Sequence, residues 1–111
     1  LESDWGVYRP IGSGFTGPAR GRALVTQIGS LLAPIGASAI GASGGGADIG
    51  PSVEAGDLPA MSLEVDGAKY FLIHHTEADT VDKIEPSDLA RCVAAVAVMS
   101  YVVADMPQTL K

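Results

Sequence analysis

At 111 residues, with no internal repeat and no linker-like stretch, the chain is long enough for one domain with a modest core, taken here as 1–111, and too short for two. A formal charge of −6 and a pI near 4.6 argue against a nucleic-acid partner, because phosphate contacts need clustered Lys and Arg. A single cysteine, Cys92, excludes an internal disulfide and a cysteine-rich zinc site. Apolar residues make up 47% and the mean hydropathy is +0.26, so some apolar surface is expected to meet another segment, domain or subunit. The acids are unevenly placed, with no Asp or Glu between Asp4 and Asp48.

Residues 3–8 (Ser-Asp-Trp-Gly-Val-Tyr) read as a short strand, and 9–17, with Pro10 and three glycines, as a loop. Residues 18–33 read as a helix: Pro18 suits a first turn, Leu24, Ile28, Leu31, Leu32 and Ile35 recur at helical spacing, and Pro34 and Gly36 stop it. A weak strand over 37–42 leads into a glycine-rich loop over 41–50 and a short helix over 49–55, closed by Gly56. The clearest strand is 59–65, turned by Asp66-Gly67, and the aromatic run 70–73 suggests another. The clearest helix is 86–105, with Asp88 in its first turn and Pro107 beyond its end.

Alternating strands and helices predict a three-layer α/β arrangement. The last helix is apolar nearly all round, with Leu89, Val93, Val96 and Val103 on one side and Cys92, Met99 and Val102 on another. Such a helix is usually covered on more than one face, which implies a neighbour beyond this chain. Its longest apolar run, 92–99, falls far short of the roughly 20 residues of a membrane span, so none is expected. The chain starts at Leu1 rather than Met, so the natural N-terminus is expected to lie elsewhere in a longer protein.

Gly12-Ser13-Gly14-Phe15-Thr16-Gly17 matches G-x-G-x-x-G ahead of a helix, a pattern used for dinucleotide phosphates. The context is poor: Pro10 sits where the strand should end, and no acid lies about 20 residues on to hold a ribose. Gly44-Gly45-Gly46-Ala47-Asp48 lacks the Lys-Ser/Thr of a phosphate loop; it is either a turn or a loop whose backbone approaches a substrate. His74-His75-Thr76-Glu77-Ala78-Asp79-Thr80 holds the only two histidines. Imidazole is the commonest metal ligand among side chains, yet paired histidines are also ordinary surface or core residues. On an extended strand the two would point to opposite faces, so at most one would serve a given site. Asp79-Thr80 also suits a turn cap before Val81, Asp4 alone reads as a solvated acid, and Cys92 as core. No serine has the surroundings of a nucleophile elbow.

In order, Glu2-Ser3-Asp4-x-Gly6, Pro10-x-Gly12-x-x-Phe15-Thr16-Gly17, Gly45-Gly46-Ala47-Asp48-Ile49, Glu54-Ala55-Gly56, Tyr70-Phe71, His74-His75-Thr76-x-x-Asp79-Thr80 and Tyr101-Val102-Val103-Ala104-Asp105-Met106 span nearly the whole chain. Together they resemble the C-terminal part of the catalytic domain of the zinc-dependent aminopeptidase and glutamate-carboxypeptidase family, most closely its carboxypeptidase Q branch. The resemblance implies part of an α/β/α sandwich with a mixed sheet and a site for two zinc ions. It implies Asp4 as ligand of one zinc and His75 of the other, with His74, Asp79 and Thr80 behind the ligands. It implies Gly46 and Asp48 in the substrate pocket, peptide substrates, and a periplasmic or secreted location.

The family also uses an upstream His-x-Asp segment and a Glu-Glu pair that supplies the general base, and neither is in this sequence. The chain is therefore expected to be a C-terminal segment that binds zinc poorly, is inactive by itself, and partners the upstream part of the same polypeptide or self-associates. Two alternatives stand beside this: a non-enzymatic interaction or structural module of the same fold, and a nucleotide-binding domain using residues 12–17.

Overall fold

The computed structural model describes residues 1–111. Three strands form one mixed sheet in the order β2-β1-β3: β1 is Pro10–Thr16, β2 is Ala39–Gly41 and β3 is Ala60–Val65. Strand β1 runs parallel to β2, with Gly12 opposite Ala39 and Gly14 opposite Gly41, and antiparallel to β3, with Phe15 opposite Met61 and Thr16 opposite Ala60.

The central strand is thus the segment that local signals assign to a loop. Its glycines serve close backbone approach rather than a turn: a Cβ on Gly12 would stand 2.1 Å from the Ala39 carbonyl oxygen, and one on Gly14 2.0 Å from that of Ser43. Pro10 is tolerated because it is the first residue of the strand. Gly12 and Gly14 therefore lie inside a paired strand, and only Gly17 falls in the strand-to-helix turn, which removes the basis for the dinucleotide alternative.

Two more sequence expectations are corrected. Residues 3–8 form no strand; only Glu2 makes an isolated parallel bridge to Ser62, and Gly6 at φ +76° turns the chain away. Residues 70–73 form a single helical turn, α3 (Tyr70–Ile73), where aromatic propensity suggests a strand. In that turn Tyr70 and His74 lie four residues apart and stack, a contact that extended backbone would forbid.

Helix α1 spans Ala19–Ser30, a little shorter than its apolar spacing implies, and passes into a 3-10 turn that Gly36 ends in the left-handed region. A short α2 (Gly50–Gly56) follows the glycine loop. Helix α4 spans Pro86–Asp105, bounded as the sequence implies. Helices α1 and α4 share one face of the sheet: Val25, Ile28 and Leu32 from the first region and Cys92, Ala95 and Met99 from the second form one core with Phe15, Met61, Leu63 and Val65. Along β3 the alternation of a pleated strand sends Ser62 and Glu64 to the other face. Neither α2 nor the turn α3 has a buried residue. The chain thus supplies the mixed sheet and one helical layer.

The apolar excess of α4 finds only part of its cover. Val93 is 59% exposed and Tyr101 71%, and Leu89 is also exposed. By length and composition the helix would suffice to cross a bilayer, a test that core helices also pass, and Cys92, Ala95 and Met99 lie in the core. The Cys92 thiol donates to the Tyr8 carbonyl oxygen at 3.1 Å, and burial, helped by the Asp88 charge, pushes it above the ordinary thiol range. Iodoacetamide at neutral pH is therefore expected to label Cys92 only after denaturation, since the thiolate is the nucleophile. Rapid labelling of the folded protein, followed by mass spectrometry, would contradict this packing.

Candidate functional site

The candidate site is assembled around Tyr70. Its hydroxyl donates to the backbone oxygen of Asp4 at 3.4 Å and lies 3.4 Å from His74 Nε2. Its ring stacks on His74 (centroids 4.3 Å apart, 24° between planes), and His74 in turn stacks on His75 (3.7 Å, 26°). Trp5, next to Asp4, packs on Tyr70 at 5.0 Å and meets Phe71 edge-on at 5.7 Å. One tyrosine therefore joins the N-terminal segment to the histidine pair. Its hydroxyl is held above the usual tyrosine range, first by desolvation and then by the charges of Asp4, Asp79 and Tyr8.

The expectation that neighbouring histidines diverge fails here because His75 is not in extended backbone. It has φ +56°, in the left-handed region, which brings its ring back over His74. Such a conformation costs a non-glycine residue about 1–3 kcal/mol and persists where the surroundings enforce it. Thr76 enforces it: its amide and hydroxyl both donate to the Ile73 carbonyl oxygen, and its hydroxyl accepts from the Ala78 amide. His75 is exposed, whereas His74 is half-buried between two rings. Asp79 and Thr80 line a cavity of about 110 Å³ with Gly6, Tyr8, Lys83 and Ile84. The Thr80 hydroxyl is bonded to Asp82, whose carboxylate Lys83 and Thr80 hold down to about 2.

The glycine loop is anchored independently. Thr16 Oγ1 donates to the Gly44 carbonyl oxygen and accepts from the Gly44 amide, both at 2.9 Å. Gly45 takes φ +113°, a conformation for which glycine is suited. Further on, the Glu2 carboxylate accepts from the Ile49 amide at 3.1 Å and the Asp48 amide at 3.5 Å. Asp48 itself is exposed. Between this loop and Trp5 lies an open cleft of about 380 Å³, with Ser43, Gly44, Gly45, Ser62 and Glu64 on its walls. The cleft thus borders both the loop and the aromatic cluster beside Asp4.

Sequence reasoning passed over Glu2 and Arg22. The Arg22 guanidinium donates to the carbonyl oxygens of Phe15, Gly41 and Ala42, tying together the ends of β1 and β2. Nothing local marks it, because its partners are backbone atoms of other elements. Glu2 belongs to the Glu-Ser-Asp segment, but only its burial shows what it does.

Carboxylate oxygen and imidazole nitrogen are both good zinc donors, so Asp4 and His75 suit a metal chemically. No three His, Cys, Asp or Glu side chains of this chain converge on a common point. A catalytic zinc ordinarily takes three protein ligands, so further donors would have to come from outside these 111 residues.

No protein-family profile matches the chain. Over 110 residues, 99% of its length, the chain is 40% identical to carboxypeptidase Q of Homo sapiens and of Xenopus laevis, and 37% identical to that of Mus musculus. Each match covers 23% of the relative, so the chain spans about a quarter of the length of these proteins. Its fold matches the crystal structure of a Peptidase M28 precursor from Shewanella amazonensis SB2B with a TM-score of 0.86 and 31% identity, over 97% of this chain and 24% of that one. The chain is therefore homologous, over nearly its whole length, to one segment of the peptidase family that includes carboxypeptidase Q and this M28 peptidase.

Proposed function

We propose that this chain is the C-terminal segment of the catalytic domain of a two-zinc exopeptidase that hydrolyses dipeptides or short peptides. The observation that carries the reading is the Tyr70 cluster: it draws the segments of Asp4 and His75 together beside a glycine-lined cleft. Asp4 would hold one zinc and His75 the other. When bound, the metals supply an activated water and Lewis-acid polarisation of the scissile carbonyl. The residues of this chain do the positioning. Stacking on His74 orients the His75 ring, and the Tyr70 hydroxyl restrains His74, as groups behind a ligand commonly do. Gly46 and Asp48 are assigned to the substrate side, next to Gly44 and Gly45, which line the cleft. The general base is assigned to a glutamate upstream in a longer polypeptide, so the chain alone is inactive. The same reading puts the protein in the periplasm or outside the cell.

A second reading is a non-enzymatic module that retains the fold, in which the longer polypeptide would lack the upstream His-x-Asp segment and the Glu-Glu pair. Dipeptide hydrolysis by the longer polypeptide, with and without a zinc chelator and beside the 111-residue chain, separates the two. Chelator-sensitive activity in the longer protein alone is the expected result. No hydrolysis by a folded, zinc-loaded longer protein would favour the module.

A further inference from the structure

We propose that Glu2 is a positioning residue: its carboxylate tethers the substrate loop, residues 46–49, to the edge of β3, in the same stretch of chain that carries Asp4. The catalytic part of this inference rests on the peptidase reading above; the tether itself does not.

Glu2 is only 8% exposed. Its backbone is locked against β3, with its amide donating to the Met61 carbonyl oxygen and its carbonyl oxygen accepting from the Leu63 amide, both at 2.9 Å. Its carboxylate has no cationic partner; the ion pairs of the chain join Arg9 to Asp66, Lys83 to Asp82 and Arg91 to Asp88. A buried anion without a counter-charge is unfavourable unless donors satisfy its lone pairs. The donors here are the Asp48 and Ile49 amides, so the buried charge and the loop conformation depend on each other.

Gly46 completes the fit. A Cβ there would stand 2.1 Å from Glu2 Oε1, so any side chain at 46 would push the carboxylate out of its seat. Since Asp4 lies two residues beyond Glu2, one anchored segment sets both the proposed metal ligand and the loop that meets the substrate.

The test is made in the longer polypeptide, with Glu2→Gln, which keeps the shape and removes the charge. Amide hydrogen exchange at residues 48 and 49 is expected to accelerate about tenfold or more, as a loop that opens locally does. KM for a dipeptide is expected to rise about tenfold with kcat within about threefold, the pattern of weakened substrate binding. Unchanged protection at 48 and 49 overturns the tether. A parallel fall in kcat and melting temperature, with exchange raised throughout, also overturns it and makes Glu2 a general stability residue. Should Glu2→Gln not fold, Gly46→Ala decides by the same readout, because it leaves the charge but denies it its seat; unchanged protection there likewise overturns the proposal. If the longer polypeptide hydrolyses no dipeptide, the peptidase reading fails while exchange at 48 and 49 still decides the tether.

Discussion

Replacing His75 by alanine in the longer polypeptide is expected to lower kcat/KM for dipeptides by more than about a thousandfold, whereas His74→Ala costs about ten- to a hundredfold, the range for groups that hold a ligand in place. The geometry separates the two. His75 is exposed and meets protein on one ring face, where it stacks on His74. His74 is sandwiched between Tyr70 and His75, and its Nε2 lies beside the Tyr70 hydroxyl. A group in that position can orient its neighbour but has little freedom to coordinate. Steady-state kinetics combined with zinc content per protein checks this: His75→Ala should lose both activity and metal, and His74→Ala should keep most of its metal. Equal losses in the two variants would refute His75 as the ligand.

Phe15→Ala is expected to destabilise the folded protein by about 3–5 kcal/mol, the usual cost of emptying a buried phenylalanine site. Phe15 has no exposed surface and sits in the central strand, within the core that α1 and α4 close over the sheet. Its ring fills the space above two glycines: a Cβ on Gly17 or Gly21 would stand 2.6 or 2.8 Å from its Cζ. The Arg22 guanidinium lies 5.6 Å from the ring centroid. Bare backbone on that side cannot rearrange to fill the hole as flexible side chains would. Against a typical total of about 5–15 kcal/mol, the loss is a large part of the stability. Urea unfolding followed by circular dichroism measures it, and a change below about 1 kcal/mol would show that Phe15 is not central to the core.

How far local signals carried depended on their range. The bounds of α4 were legible because Pro86 at the first turn and Pro107 past the end act on their own few residues. Strand β3 was legible because Met61, Leu63 and Val65 alternate with Ser62 and Glu64 at the period of a pleat. Strand β1 was not, because its glycines are explained by the carbonyl oxygens of Ala39 and Ser43, which lie far along the chain. The turn at 70–73 was misread for a related reason: propensity suits a strand, but packing against Trp5 and His74 prevails.

The candidate site divides along the same line. Residue type and order, with the family resemblance they carry, named the candidates for zinc and peptide chemistry: Asp4, His75, and the glycine loop ending at Asp48. Only the tertiary structure decided that Tyr70 gathers Asp4 and the histidines, that a left-handed His75 stacks on His74, and that Glu2 is buried beneath the loop. Turn chemistry and periodicity act over a few residues and leave their mark in the sequence. Burial and pairing join segments from opposite ends of the chain, and their free energy exists only once the fold has brought those segments into contact.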